Sequence, residues 1–110
     1  MVQIEILYFD GCPSHEPALE LVRRIVKEKG IPAQVREIKV RSEAEARALK
    51  FPGSPTIRVN GRDVGGNGET EYELKCRVYS GPQGLTGVPP AQLIEKALTE
   101  ADRGSAARCC

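Results

Sequence analysis

The spacing of apolar residues along the chain switches between strand and helix periods. Val2 to Phe9 is rich in β-branched and aromatic residues and stops at Asp10-Gly11, which predicts a buried strand followed by a loop. Cys12 falls in that loop. Ala18, Leu21, Val22, Ile25 and Val26 then recur at helical spacing, with Glu20, Arg23, Arg24, Lys27 and Glu28 between them, and the run ends at Gly30. This pattern predicts an amphipathic helix lying on a sheet. Pro17 is tolerated only in a first turn, so the helix starts near Ser14, its expected N-cap.

Val35, Ile38 and Val40 roughly alternate with polar residues, predicting a second strand over Ala33 to Val40. Ser42 is placed to cap a short helix reaching Lys50, with Ala44, Ala48 and Leu49 facing inward. Two strands joined through a helix are expected to run parallel. Asn60-Gly61 between the short β-rich runs Ser54 to Val59 and Arg62 to Val64 signals a hairpin, so the second half of the sheet should be antiparallel. Glu73 to Tyr79 alternates, placing Leu74, Cys76 and Val78 on one face, and Gly81 to Pro90 is rich in turn residues. Pro90 opens a last helix with Leu93, Ile94, Ala97 and Leu98 on one side, and from Arg103 the chain loses periodicity and reads as a mobile tail. The reading is thus an α/β domain over residues 1–102, with a flexible C-terminal tail over 103–110. Gly65 to Gly68 lacks the lysine, the hydroxyl residue and the following helix of a phosphate loop.

Length and charge narrow the functional classes. A chain of 110 residues makes one domain, and 16 basic against 15 acidic residues give a net charge of +1. That balance carries no electrostatic footprint for nucleic acid or an anionic membrane. Ile4 to Phe9 is interrupted by Glu5 and follows no basic region, so neither a signal peptide nor a membrane span is expected, and the cytosol is the expected compartment. There thiols stay reduced, which makes four cysteines better read as reactive or metal-binding than as a disulfide framework.

The element order β-α-β-α-β-β-α, a Cys12-Pro13 element after the first strand, and Ser54-Pro55-Thr56 before the third strand resemble the thioredoxin superfamily. The resemblance covers about residues 1–102. It implies a thioredoxin-like fold, a central mixed four-stranded sheet flanked by helices, with an insertion between the last strand and the last helix. It further implies that Cys12 is the first motif cysteine and that Pro55 is cis and packs beside it. Ser54 to Gly66 looks like the hairpin of glutaredoxins, in which a glycine pair, here Gly65-Gly66, lies near the glutathione site. More narrowly, Phe9 to Pro17, Cys76-Arg77-Val78-Tyr79 and Gly87-Val88-Pro89-Pro90 resemble a small group of bacterial thioredoxin-like proteins. Some of these carry selenocysteine where Cys12 stands, and some bear an alkylmercury-lyase-like label. His15 replaces the second cysteine of Cys-x-x-Cys, so no dithiol cycle can be confined to this motif.

Each candidate residue has a chemical and a structural reading. Cys12, at or just before a helix N-terminus, sits where unpaired N–H groups favour an anion, making it a nucleophile or soft-metal ligand; otherwise it is an inert buried thiol. His15 is either a partner for that thiol, in proton transfer or metal binding, or an ordinary first-turn residue. Cys76 is either a core thiol or one that hangs over Cys12 as a resolving group or co-ligand. Cys109 and Cys110 resemble the vicinal C-terminal cysteines of mercuric reductase and can capture a thiophilic ion; alternatively they are an incidental terminus.

Together these expectations describe a cytosolic thiol protein in which Cys12 attacks or binds a soft electrophile: a disulfide, a glutathione adduct, a peroxide or a mercurial. Cys12, His15 and Cys76 are its catalytic candidates. Pro55, Gly65 and Gly66 line a cofactor site of the glutathione type, and Cys12, Cys109 and Cys110 are ligands for Hg(II). Mercury handling uses all four cysteines. The expected partners are a small thiol-reactive substrate or a reductase, with the chain a monomer or weak dimer. The alternative is a non-catalytic soft-metal-binding or chaperone module with Cys12 and His15 as ligands.

Overall fold

The computed structural model describes residues 2–65, 72, 74, 77, 79–81 and 84–108. Its elements are β1 (Val2–Tyr8), α1 (His15–Lys29), β2 (Ala33–Lys39), α2 (Glu43–Ala48), β3 (Thr56–Val59), β4 (Arg62–Asp63), β5 (Tyr79–Gly81), β6 (Gly84–Thr86) and α3 (Ala91–Arg108). Gly66, Cys76, Val78, Cys109 and Cys110, all named from the sequence, lie outside the described residues.

The protein is an α/β fold with a mixed four-stranded sheet in the order β2-β1-β3-β4. β1 runs parallel to β2 and antiparallel to β3, and β3 runs antiparallel to β4. β5 and β6 form a separate antiparallel pair between β4 and α3.

Alternation along β1 builds the core. Val2, Ile4 and Ile6 pack with Ala18, Val22 and Ile25 of α1 and Ile94 and Leu98 of α3. Leu7 points the other way, into a second cluster with Val40, Ala46 and Phe51. Ile6 and Leu7 are both fully buried, whereas Gln3 is exposed. Both faces of the sheet are therefore covered where β1 ends, which makes that end a firm base for the loop that follows. Each large apolar side chain removed from water there contributes roughly 1.5–3 kcal/mol.

The ends of the elements follow local rules. Gly30 closes α1 in the left-handed conformation, with φ +62°. Ser14 occupies the N-cap, but its side chain makes no cap hydrogen bond. At α2, Ser42 Oγ accepts from Glu45 N at 3.1 Å and Glu45 Oε2 accepts from Arg41 N at 2.7 Å, close to a capping box. Arg58 Nη2 closes the other end by donating to Leu49 O and Lys50 O at 2.6 and 2.9 Å, meeting carbonyls that the short helix leaves free. Asn60 and Gly61, with φ of +50° and +84°, make the two-residue turn between β3 and β4, which positive φ at both positions requires.

Two expectations need correction. Ala44 and Ala48 are exposed, and α2 buries Ala46 with Leu49 half-buried beside it. A helix of six residues presents only one narrow stripe, and Phe51 fills the space that a wider alanine face would have covered. The last helix also passes the expected end at 102 and continues to Arg108. No proline interrupts Asp102 to Arg108, and the strong helix formers Arg103, Ala106, Ala107 and Arg108 flank the weaker Gly104 and Ser105, so the helix does not need the apolar periodicity that ends near Ala101.

Candidate functional site

β1 delivers the chain to the covered end of the sheet, and Gly11, with φ +87°, turns it toward α1. Cys12 N donates to Phe9 O at 3.3 Å, closing the turn. The Cys12 thiol is free and half-buried, two residues ahead of the N-cap Ser14. The loop is tied on both sides. Asp10 pairs with Lys39 at the end of β2, with 3.4 Å between Oδ2 and Nζ. Gly87 lies so close to Ser14 Oγ that a side-chain carbon there would collide with it, so the segment leading into α3 packs on the start of α1.

Pro55 reaches the same end of the sheet from the other direction. Leu7 pairs with Thr56, which sets the turn before β3 beside the end of β1. The Ser54–Pro55 peptide bond is cis, as the resemblance implied. Residues 51–57 are all buried. Thr56 Oγ1 donates to Gly53 O at 2.5 Å, while Ser54 Oγ is buried without a partner among the described residues.

His15 is held by β1 and β2. Its ring stacks on Tyr8 with centroids 3.6 Å apart and planes within 4°, and Nε2 lies 2.7 Å from Glu37 Oε1. The hydrogen bond of this imidazole therefore runs to β2, and none joins it to Cys12.

Arg77 and Tyr79 cover the Pro55 turn. Arg77 N donates to Ser54 O at 2.8 Å, and its Nη1 donates to Asp63 Oδ2 at 2.7 Å and Thr56 Oγ1 at 3.3 Å. The guanidinium carbon stands 4.8 Å from the centre of the Tyr79 ring. Tyr79 donates its hydroxyl hydrogen to Pro55 O at 2.5 Å. Burial pushes the Tyr79 phenol well above its ordinary range, and the neighbouring Arg77 charge only partly opposes that. Gly65, expected at a glutathione site, is where this layer passes: a side-chain carbon there would lie 2.5 Å from Arg77 Nη2 and 2.9 Å from the Tyr79 ring.

The structure thus brings Cys12, His15 and Pro55 to one end of the sheet. Tyr8, Glu37, Arg77 and Tyr79 join them without having been given roles from sequence. Arg77 is fixed by Asp63, Thr56 and Ser54, all more than a dozen residues away, so the motif Cys76-Arg77-Val78-Tyr79 alone does not reveal its role. Glu37 looked like one polar position of an alternating strand. Among the described residues no group of three or more His, Cys, Asp or Glu side chains is placed to hold a metal ion. No helix among them is long and apolar enough to cross a membrane. Compared with protein-family models, curated proteins and solved structures, the chain gives no match.

Proposed function

We propose that this is a thioredoxin-like thiol protein in which Cys12 attacks or binds a soft electrophile. The observation that carries the reading is a free, half-buried thiol in a loop tied at Asp10 and Ser14, immediately ahead of a 15-residue helix. A half-buried cysteine two residues ahead of a helix N-cap stays reachable for a small reagent, in the region where a helix terminus favours an anion.

With a disulfide R–S–S–R the Cys12 thiolate attacks one sulfur, the S–S bond of the reagent breaks, and RS⁻ leaves as Cys12–S–S–R forms. A second thiol, for which Cys76 is the proposed group, attacks the Cys12 sulfur and releases the second RS⁻, leaving an intramolecular disulfide. With a mercuric thiolate the step is ligand exchange without electron transfer: Cys12–S⁻ replaces one RS⁻ on the metal. Cys109 and Cys110 are the proposed acceptors of that ion. His15, through Glu37 and Tyr8, fastens the first turn of α1 against the sheet.

Exposure to limiting Hg(II), oxidised glutathione and hydrogen peroxide in parallel, followed by mass mapping of each thiol, tests the proposal. Modification of Cys12 by at least one reagent supports it. Cys12 unmodified under all three overturns it. A fixed metal stoichiometry without turnover of any disulfide assigns the chain to binding rather than catalysis.

A further inference from the structure

An extended peptide brought to Cys12 would need backbone groups to pair with, because main-chain hydrogen bonds supply most of the affinity when a strand is added to a sheet. β3, which leads away from the Pro55 turn, has its outer edge occupied along its length. Val59 and Arg58 pair with Arg62 and Asp63, Ile57 O accepts from Val64 N at 3.0 Å, and Ser54 O accepts from Arg77 N at 2.8 Å. The last of these bonds closes the stretch beside the end of β1, from which the Cys12 loop leaves, and it is made by a residue 23 positions further along the chain. Arg77 is fixed in place by Asp63 and Thr56, and both of these side chains belong to the sheet or its turn.

The opposite edge of the sheet is β2, whose exposed residues include Arg36, Glu37 and Lys39. Charges of this kind along an edge strand discourage pairing with a further chain. Pro55 itself is fully buried, so the turn offers no apolar surface either.

Resting on the reading of Cys12 as the reactive thiol, we propose that Arg77 is a specificity-determining residue. By pairing with Ser54 and lying against Gly65 it closes the edge at the Pro55 turn, beside the end of β1 from which the Cys12 loop leaves, so the electrophile is a small molecule and not an extended polypeptide. Arg77 takes no part in bond making. It removes the docking surface that a peptide disulfide would use.

The test compares two unstrained disulfides on the full chain, 2-hydroxyethyl disulfide and a disulfide-linked dimer of an unstructured peptide, reading the initial rate of the Cys12 adduct by peptide mass mapping. Wild-type Cys12 is expected to react at least about tenfold faster with the small reagent, a difference of about 1.4 kcal/mol. Arg77→Ala, which frees Asp63 and loosens the pairing at Ser54, narrows the ratio by raising the peptide rate relative to the small-disulfide rate. Equal wild-type rates overturn the specificity assignment while leaving Cys12 as the reactive thiol. A ratio that Arg77→Ala leaves untouched removes Arg77 as its cause. Absence of any Cys12 adduct with either reagent overturns the underlying reading of the site. The wild-type comparison stands whether or not the variant folds.

Discussion

Tyr79 donates a hydrogen bond to the carbonyl oxygen of Pro55 across 2.5 Å, joining the chain beyond the hairpin to the turn before β3. Both residues are buried, so neither group has water as an alternative. Tyr79→Phe leaves the Pro55 carbonyl without its partner and is expected to cost about 1–2 kcal/mol in a denaturant titration.

The same residue predicts a dependence on pH. Because burial raises the Tyr79 phenol in the folded state, the unfolded chain releases this proton first as the solution becomes alkaline. The stability contributed by the neutral phenol is complete below about pH 10, the ordinary tyrosine value, and is lost as pH rises beyond it. Ultraviolet titration should show a tyrosine phenol that resists ionisation until the protein unfolds. Tyr79→Phe should remove that resistant fraction.

His15 bonds to Glu37 and stacks on Tyr8, so its loss should be felt mainly as stability. The hydrogen bond to Glu37 is partly exposed and worth less than about 1 kcal/mol, and the ring stack adds about 0.5–1.5 kcal/mol. His15→Ala is expected to destabilise the fold by that modest sum while iodoacetamide alkylation of Cys12 changes little. A fall in alkylation rate of about a hundredfold would instead mark His15 as a proton-transfer partner of the thiol.

Gly53 has φ +145°, and a side-chain carbon there would lie 2.9 Å from Arg77 Cβ and 3.2 Å from its Cα. Neither atom can swing away. Gly53→Ala should therefore break the Arg77–Ser54 pairing or strain the turn, costing about 2–3 kcal/mol, with increased hydrogen exchange at the Arg77 amide.

Ser54 is the reverse case. Its hydroxyl is buried with no partner among the described residues, an arrangement that carries a desolvation cost of about 1–3 kcal/mol. Ser54→Ala is expected to leave stability unchanged or raise it. A loss above about 1 kcal/mol would show that the hydroxyl does have a partner.

Much of the sheet was legible in the sequence because its signals are local. Val2 to Tyr8 carries its own strand pattern, Gly30 its own helix stop, and Asn60-Gly61 its own turn. The inward face of α2 is not legible because six residues give too few turns for periodicity to fix a phase, and Phe51, just beyond it, supplies the packing. At the site, Cys12 and Pro55 stood out through their neighbours in the chain. The roles of Arg77, Tyr79 and Glu37 are not legible there, even though Arg77 and Tyr79 lie in a named motif, since each owes its place to a partner distant in sequence: Ser54 and Asp63 for Arg77, Pro55 for Tyr79, and His15 for Glu37.

The central claim is that Cys12 is the reactive thiol of this domain. The direct measurement is the rate of iodoacetamide alkylation at each cysteine of the native full chain across pH, followed by peptide mass mapping. The account predicts that Cys12 is modified ahead of Cys76 throughout, and that unfolding the protein reduces this lead. Preferential modification of Cys76, with Cys12 protected until the protein unfolds, would contradict it.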